Sequence, residues 1–266
     1  MSSNVKKTLM VALGVCLVAS VLVSTAAVEL KPIQTKNKKL DMLKNILSAG
    51  DLLKEKSNIE DIYKENIEPE IIDLKTGEVI PKDKYDEVVN TNDFDVKSVA
   101  SSDKWGEAIP ADKDIAGIKR MPKVMIVYQV LDKDKNVVKY IFPIYGKGLW
   151  STMYGFISLA KDLSTVEGFT FYDQGETPGL GGEVDNPRWK KLWIGKEVFD
   201  PSGKLKIQVI KRKVDPSAPD AKYKVDGLSG ATLTTNGVNH LVRFWMSDEG
   251  FGLFLKKLRG EKNEKV

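Results

Sequence analysis

The hydrophobic pattern changes period several times along the chain, and each change marks a different kind of element. Residues 8–28 form an apolar run without a charge. At 1.5 Å per residue, roughly 21 residues match the hydrocarbon core of a bilayer. A secretory signal has an apolar core of only about 7–15 residues. The run is therefore read as an uncleaved membrane anchor, although Ser24-Thr25-Ala26-Ala27 would also serve as a cleavage sequence. Lys6 and Lys7 precede it, and Lys31, Lys36, Lys38, Lys39 and Lys44 follow. The short basic leader favours an inside N-terminus, because long following domains cross a membrane largely regardless of charge.

From residue 36 to 66, Leu40, Leu43, Ile46, Leu47, Leu53, Ile59, Ile62 and Tyr63 recur at helical spacing, which predicts a helical stalk or packing helices. Glu68-Pro69 is expected to end that pattern, and residues 71–80 read as a small strand, turn and strand. Residues 81–121 are polar and read as an irregular connection. Runs of β-branched and aromatic residues at 124–131 and 137–144, with a turn at 132–136, predict a hairpin. A glycine-rich loop at 145–155 follows, then strands at 156–160 and 166–172 and a second glycine-rich loop at 176–183. A short helix is expected at 187–193, where Pro187 suits the first turn, and a strand at 206–212. Val238, Leu241, Val242, Trp245 and Met246 keep helical spacing, and 251–258 extends or restarts that helix.

Composition narrows the chemistry. The chain has 266 residues, 42% of them apolar, which is enough for one large or two small cores. Its 41 basic and 37 acidic residues leave a formal charge of +4, so nothing demands a nucleic-acid partner. A single cysteine, Cys16, lies inside the apolar run, and a single histidine, His240, stands near the C-terminal end. One of each excludes an intramolecular disulfide, a four-cysteine iron–sulfur site and a multi-histidine metal cage. Redox chemistry would have to come from an organic cofactor or a neighbouring subunit. A Ser or Thr nucleophile served by His240 is rejected: the histidine lies eight residues beyond Thr232, roughly 12 Å along a helix and too far for direct proton transfer. Gly146-Lys147-Gly148 lacks the third glycine of a dinucleotide fingerprint, so bound NAD is not expected.

The densest stretch is Asp226-Gly227-Leu228-Ser229-Gly230-Ala231-Thr232-Leu233-Thr234-Thr235-Asn236. It packs four hydroxyls among small residues just before a helix. Such a stretch is either a capping turn or an anion site, because a helix start offers unpaired N–H groups and the positive end of its dipole. Thr234 and Thr235 are candidate caps. The glycines of the 176–183 loop mark either a tight turn or a close approach to a flat ligand.

Three ordered motifs, Gly146-Lys147-Gly148-Leu149-Trp150-Ser151, Glu176-Thr177-Pro178-Gly179-Leu180-Gly181-Gly182 and Ser229-Gly230-Ala231-Thr232-Leu233-Thr234, stand behind one anchor. In this the chain resembles the C subunits of bacterial sodium-translocating NADH:quinone oxidoreductases, and more loosely the G subunits of ferredoxin:NAD oxidoreductases. The resemblance covers nearly the whole chain. It implies an α+β fold in which one transmembrane helix precedes an extracytoplasmic FMN-binding domain, an antiparallel sheet flanked by helices. The corresponding division is a leader at 1–7, the membrane helix at 8–28, a stalk and connecting region at 29–120, the FMN-binding domain at 121–258 and a basic, solvated tail at 259–266. It further implies FMN esterified through its phosphate to Thr232 by a flavin transferase, with Asp226 as the acid of the flavinylation motif. Around the cofactor it implies Ser229, Gly230, Ala231, Leu233 and Thr234 at the phosphate end, and Glu176, Thr177, Gly179, Leu180, Gly181, Trp150 and Ser151 from the two loops. Where the resemblance implies His, this chain has Gln174, so a ring contact or protonation role for that histidine does not carry over.

The implied function is an electron relay in a hetero-oligomeric membrane complex, passing electrons towards quinone while sodium crosses the inner membrane, with the soluble domain on the periplasmic side. Two readings from other classes stay open on the residues alone: an anchored extracytoplasmic module that binds a free ligand, and an assembly subunit without redox activity. The FMN subunit of a ferredoxin:NAD oxidoreductase complex is a third alternative.

Overall fold

The computed structural model describes residues 3–53 and 58–260. The chain forms two compact units, Met1–Met42 and Leu43–Val266. Helix α1 (Ser3–Ala49) runs without interruption through the apolar stretch and past Pro32, so the expected membrane helix and the start of the stalk are one element. Within it lies a segment long and apolar enough to cross a membrane, with a mean hydropathy of 2.4 and none of it buried. Exposing Leu13, Leu17, Val18 and Leu22 to water would cost about 25 cal/mol per Å², a cost that a bilayer removes. The helix stops where Gly50 closes the last turn and Asp51 takes φ 57°. Helix α2 (Ile59–Asn66) is separate, capped by Asn58.

The second unit is built on a six-stranded antiparallel sheet, order β2-β1-β5-β6-β7-β8. Its first strands are β1 (Ile67–Asp73) and β2 (Glu78–Val79). Strand β1 starts earlier than its pattern suggests and contains Pro69. The proline is tolerated because β2 covers only Ile72 and Asp73, leaving β1 an edge strand at Pro69. Residues 81–121 are more ordered than expected: they hold α3 (Val96–Ser101) and the small pair β3 (Gly106–Ala108) and β4 (Arg120–Pro122). These elements are too short to show a period. The sheet continues with β5 (Val124–Leu131), β6 (Val137–Lys147), β7 (Thr152–Ala160) and β8 (Val166–Asp173). Strands β6 and β7 pair as far as Lys147 opposite Thr152, so the glycine-rich loop expected at 145–155 shrinks to residues 148–151. The strand order also carries the sheet N-terminal of residue 121, through β1 and β2.

Helix α4 (Pro187–Lys191) has Asn186 as its cap and ends two residues short of its predicted limit. The strand expected at 206–212 is the three-residue β9 (Gln208–Ile210), which pairs in parallel with β10 (Lys224–Asp226). Helices α5 (Thr232–Trp245) and α6 (Gly252–Leu258) are distinct, so the C-terminal helix restarts. Of the expected solvated tail, Arg259 instead stands 4.2 Å from the Phe199 ring centroid, and residues 261–266 lie outside the described residues.

The sheet is covered on both sides. Phe142 meets Phe251 at 4.9 Å between centroids, and the Trp245 indole donates to the Tyr145 carbonyl at 2.7 Å. The end of α1 buries Ile46 and Leu47, and Ser158 donates to the Ala49 carbonyl at 2.7 Å. Glycines set how closely α5 approaches β6. A Cβ on Gly146 would stand 2.5 Å from the Leu241 Cβ, and one on Gly237 would stand 2.5 Å from the Lys147 carbonyl oxygen. That close docking fixes the start of α5 beside the 148–151 loop.

Candidate functional site

Three loops meet at the first turn of α5, and one carboxylate joins two of them to the helix. Glu176 is only 5% exposed. Its Oε1 accepts from the amides of Trp150 (3.0 Å) and Ser151 (3.1 Å) and from Ser151 Oγ (3.3 Å). Its Oε2 accepts from the Leu149 amide at 3.1 Å and from Thr234 Oγ1 at 2.6 Å. Burial works against ionisation, but the bonds from Thr234 and from the amides of Trp150, Ser151 and Leu149 outweigh it and hold the carboxyl below its ordinary value. The contact requires glycine on both sides: a Cβ on Gly148 would meet Oε1 at 2.6 Å, and one on Gly181 would meet Thr234 Oγ1 at 2.5 Å and Oε2 at 2.9 Å.

The two loops are joined again through Ser151 and Gln174. Ser151 Oγ accepts from the Gly175 amide at 2.8 Å. Gln174 Oε1 accepts from the Glu176 amide at 2.7 Å, while its Nε2 donates to Asp185 at 2.8 Å. Gln174 thus ties its own loop together and links it to Asp185. The Thr177 carbonyl accepts from the Leu180 and Gly182 amides, and Gly179 takes φ 75°, so Thr177 to Gly182 form a compact turn.

The hydroxyls of the 226–236 stretch divide into two pairs. Thr234, 1% exposed, is spent on Glu176; Thr235 Oγ1, also buried, accepts from the Leu228 amide at 3.0 Å. Neither caps α5, contrary to expectation. The N-cap position belongs to Ala231, and no side chain among the described residues caps this start. Thr232, the first residue of the helix, is exposed, as are Ser229, Gly230 and Leu233. An uncapped helix start leaves amides of the first turn without an internal acceptor. Gly230 takes φ 74°, a conformation open to glycine at little cost, and a Cβ there would stand 3.2 Å from Leu180 Cδ2. That places the 176–182 loop against the turn before Thr232.

Asp226 stands apart from this exposed turn. Its Oδ1 accepts from the Val214 amide at 2.8 Å, and its carbonyl accepts from the Trp189 indole at 2.8 Å. It holds the β9–β10 connection and α4 to the motif. Around the turn several apolar side chains face solvent: Trp150 is 67% exposed and Leu180 45%, with Leu149 and Leu233 also exposed. Exposed apolar side chains beside an uncapped helix start suit a ligand with an anionic end and a flat apolar body. A phosphate at Thr232 and a ring against Trp150 and Leu180 meet that description, so the residues present fit FMN. The parts played by Leu149, whose amide donates to Glu176, and by Thr235, which accepts from Leu228 instead of capping α5, are not legible although both lie in the glycine- and hydroxyl-rich stretches; Gly237 and Trp189 lie outside the motifs altogether.

The FMN-binding domain family matches residues 148–247, which contain all three loops. The chain is 44% identical over 256 residues to the C subunit of Na(+)-translocating NADH-quinone reductase from Pseudomonas aeruginosa, covering 95% of each chain. It is 42% identical over 261 residues to the corresponding C subunit from Yersinia pestis, covering 97% of this chain and 94% of that one. Among solved structures, NqrC of Shewanella oneidensis superposes with a TM-score of 0.76 at 34% identity, over 85% of this chain and 100% of that one. The C subunit of the same reductase from Parabacteroides distasonis superposes with a TM-score of 0.64 at 28% identity, over 85% of this chain and 96% of that one.

Proposed function

Since the chain belongs to the family of Na(+)-translocating NADH-quinone reductase C subunits and carries an FMN-binding domain, we propose that it is an electron relay holding FMN as a phosphoester on Thr232 Oγ1. The observation that carries this reading is the sorting of hydroxyls at the start of α5. Thr234 and Thr235 are buried and engaged, whereas Thr232 is exposed on an uncapped first turn. A phosphodiester keeps one negative charge, and a helix start favours such a charge by about 0.3–1 kcal/mol when exposed.

Bound FMN supplies the electron-transfer chemistry. The chain's own residues position it and tune its surroundings. Amides of the first turn hold the phosphate end, Gly230 and Ala231 leave it space, and Ser229 and Leu233 flank it. Trp150, Leu180 and the glycine-rich turns at Gly179 and Gly181 bound the ring, with Thr177 and Ser151 on the supporting loops. Asp226 serves the flavin transferase reaction or shapes the motif's turn. In this reading the protein passes electrons between its partners in the hetero-oligomeric complex towards quinone. It is held by α1 in the inner membrane, with Lys6 and Lys7 on the cytoplasmic side and the domain on the periplasmic side.

The test is coexpression of the chain with a flavin transferase, followed by in-gel fluorescence under denaturing conditions and mapping of the adduct by mass spectrometry. Wild type should carry one FMN on the peptide containing Thr232, and Thr232→Ala should carry none. A fluorescent Thr232→Ala band would refute the assignment.

A further inference from the structure

Glu176 has no cationic partner among the described residues, yet its carboxylate is buried and receives five hydrogen bonds, every one from an N–H or O–H. Three of the donors are the consecutive amides of Leu149, Trp150 and Ser151. Successive amides turned inward form an anion-binding nest. Here the anion is part of the chain. The nest lies in the loop that carries Trp150, the carboxylate belongs to the loop that carries Leu180, and the fifth donor, Thr234, stands two residues from Thr232 on α5.

We propose that Glu176 is a positioning residue: a built-in anion whose charge, rather than its shape, holds the Trp150 loop, the Leu180 loop and the first turn of α5 in one arrangement for the flavin. This deepens the relay reading above and rests on it for the identity of the ligand. The carboxylate itself is not a flavin contact, because its oxygens already accept five bonds.

The distinction between charge and shape can be measured. Gln is isosteric with Glu, but its amide nitrogen donates. Whichever oxygen position the nitrogen takes, at least one backbone N–H of the nest then faces another donor. Ala leaves a cavity lined by donors that a small carboxylate such as formate can enter.

The experiment uses the full chain in detergent, wild type and the Glu176→Gln, Glu176→Ala and Thr234→Val variants. The first readout is hydrogen exchange at Leu149, Trp150 and Ser151 in protein made without flavin transferase; the second is visible circular dichroism of the flavin in protein made with it. Glu176→Gln and Glu176→Ala should each speed exchange at these amides at least tenfold, and the ellipticity per bound flavin should fall. Sodium formate should restore protection and ellipticity in Glu176→Ala and leave Glu176→Gln unchanged. Thr234→Val, which keeps the nest and deletes only its link to α5, should preserve protection and lower ellipticity. Wild-type protection in Glu176→Gln, or a Glu176→Ala protein indifferent to formate, would overturn the proposal. If the Glu176 variants do not fold, wild-type ellipticity in Thr234→Val overturns it. The exchange readout needs no flavin, so an absent FMN adduct in wild type would refute the cofactor assignment while exchange still decides the role of Glu176.

Discussion

Replacing Gly237 by Ala sets two well-calibrated effects against each other. Gly237 lies inside α5, where Ala is ordinarily favoured by about 1 kcal/mol. Propensity alone therefore predicts a more stable protein. The structure predicts the reverse. An Ala Cβ would stand 2.5 Å from the Lys147 carbonyl oxygen and 3.1 Å from the Gly148 Cα, while ordinary contact begins at 3.4 Å. The blocking atoms are backbone and cannot rotate away. Lys147 is also locked on both sides, since its amide donates to the Ala116 carbonyl at 2.8 Å and it pairs with Thr152 in the sheet. Relief must come from moving α5 by nearly an ångström. Overpacking of this kind costs about 1–3 kcal/mol, and the backbone obstruction puts this case in the upper part of that range. The expected net change is a loss of about 1–2 kcal/mol. Urea unfolding of the full chain in detergent, followed by tryptophan fluorescence, should show a lower midpoint with an unchanged slope. His240→Ala, exposed on the same helix, serves as the control and should stay within about 0.5 kcal/mol. The same displacement should lower FMN incorporation, because it moves Thr232 away from the 148–151 loop. A higher midpoint for Gly237→Ala would refute the packing argument.

Stability and ligand holding should separate at two tryptophans. Trp193→Ala removes a fully buried ring stacked on Phe169 at 3.9 Å and should cost about 3–5 kcal/mol. Trp150→Ala should leave the unfolding free energy within about 0.5 kcal/mol of wild type and change the flavin circular dichroism instead. Thr235→Val removes the acceptor of the buried Leu228 amide and should cost about 1–3 kcal/mol, with faster exchange at Leu228. The pH dependence of stability follows from Glu176. Its folded carboxyl lies below its ordinary value of 4.5, so its stabilisation is complete above that value and is lost as pH falls towards the folded one. Glu176→Gln should therefore flatten the acid limb of a stability-against-pH curve below about pH 4.5, as read by urea midpoints at successive pH values.

Local patterns carried much of this protein. The uncharged run at 8–28 announced a membrane-length helix because its signal is length and composition, both local. The 124–131 and 137–144 hairpin was legible because runs of β-branched and aromatic residues and an intervening turn are local too. The three motifs were visible as clusters of glycine and hydroxyl residues, and their order identified the family. Short elements such as α3 and β3 left no trace, because three to six residues cannot establish a period. Pro69 misled because its tolerance depends on β1 having a partner strand on one side only at that position, β5 opposite Pro69 and no β2 pairing there, a fact about the sheet.

The four hydroxyls show most plainly where local reading stops. By sequence alone Thr234 and Thr235 were the candidate caps, and the resemblance singled out Thr232, in agreement with the preference of a helix start for an anion. The tertiary structure sorts the hydroxyls differently. Thr234 turns inward onto a carboxylate 58 residues away in sequence, Thr235 closes the loop before it, and Thr232 is left exposed on an uncapped helix start. Glu176 could be assigned to the site from its motif, but not its part in it. A carboxylate's role depends on the donors that surround it, and these donors come from two segments, the 149–151 loop and α5, that only the packing of α5 against the sheet brings together with the loop of Glu176.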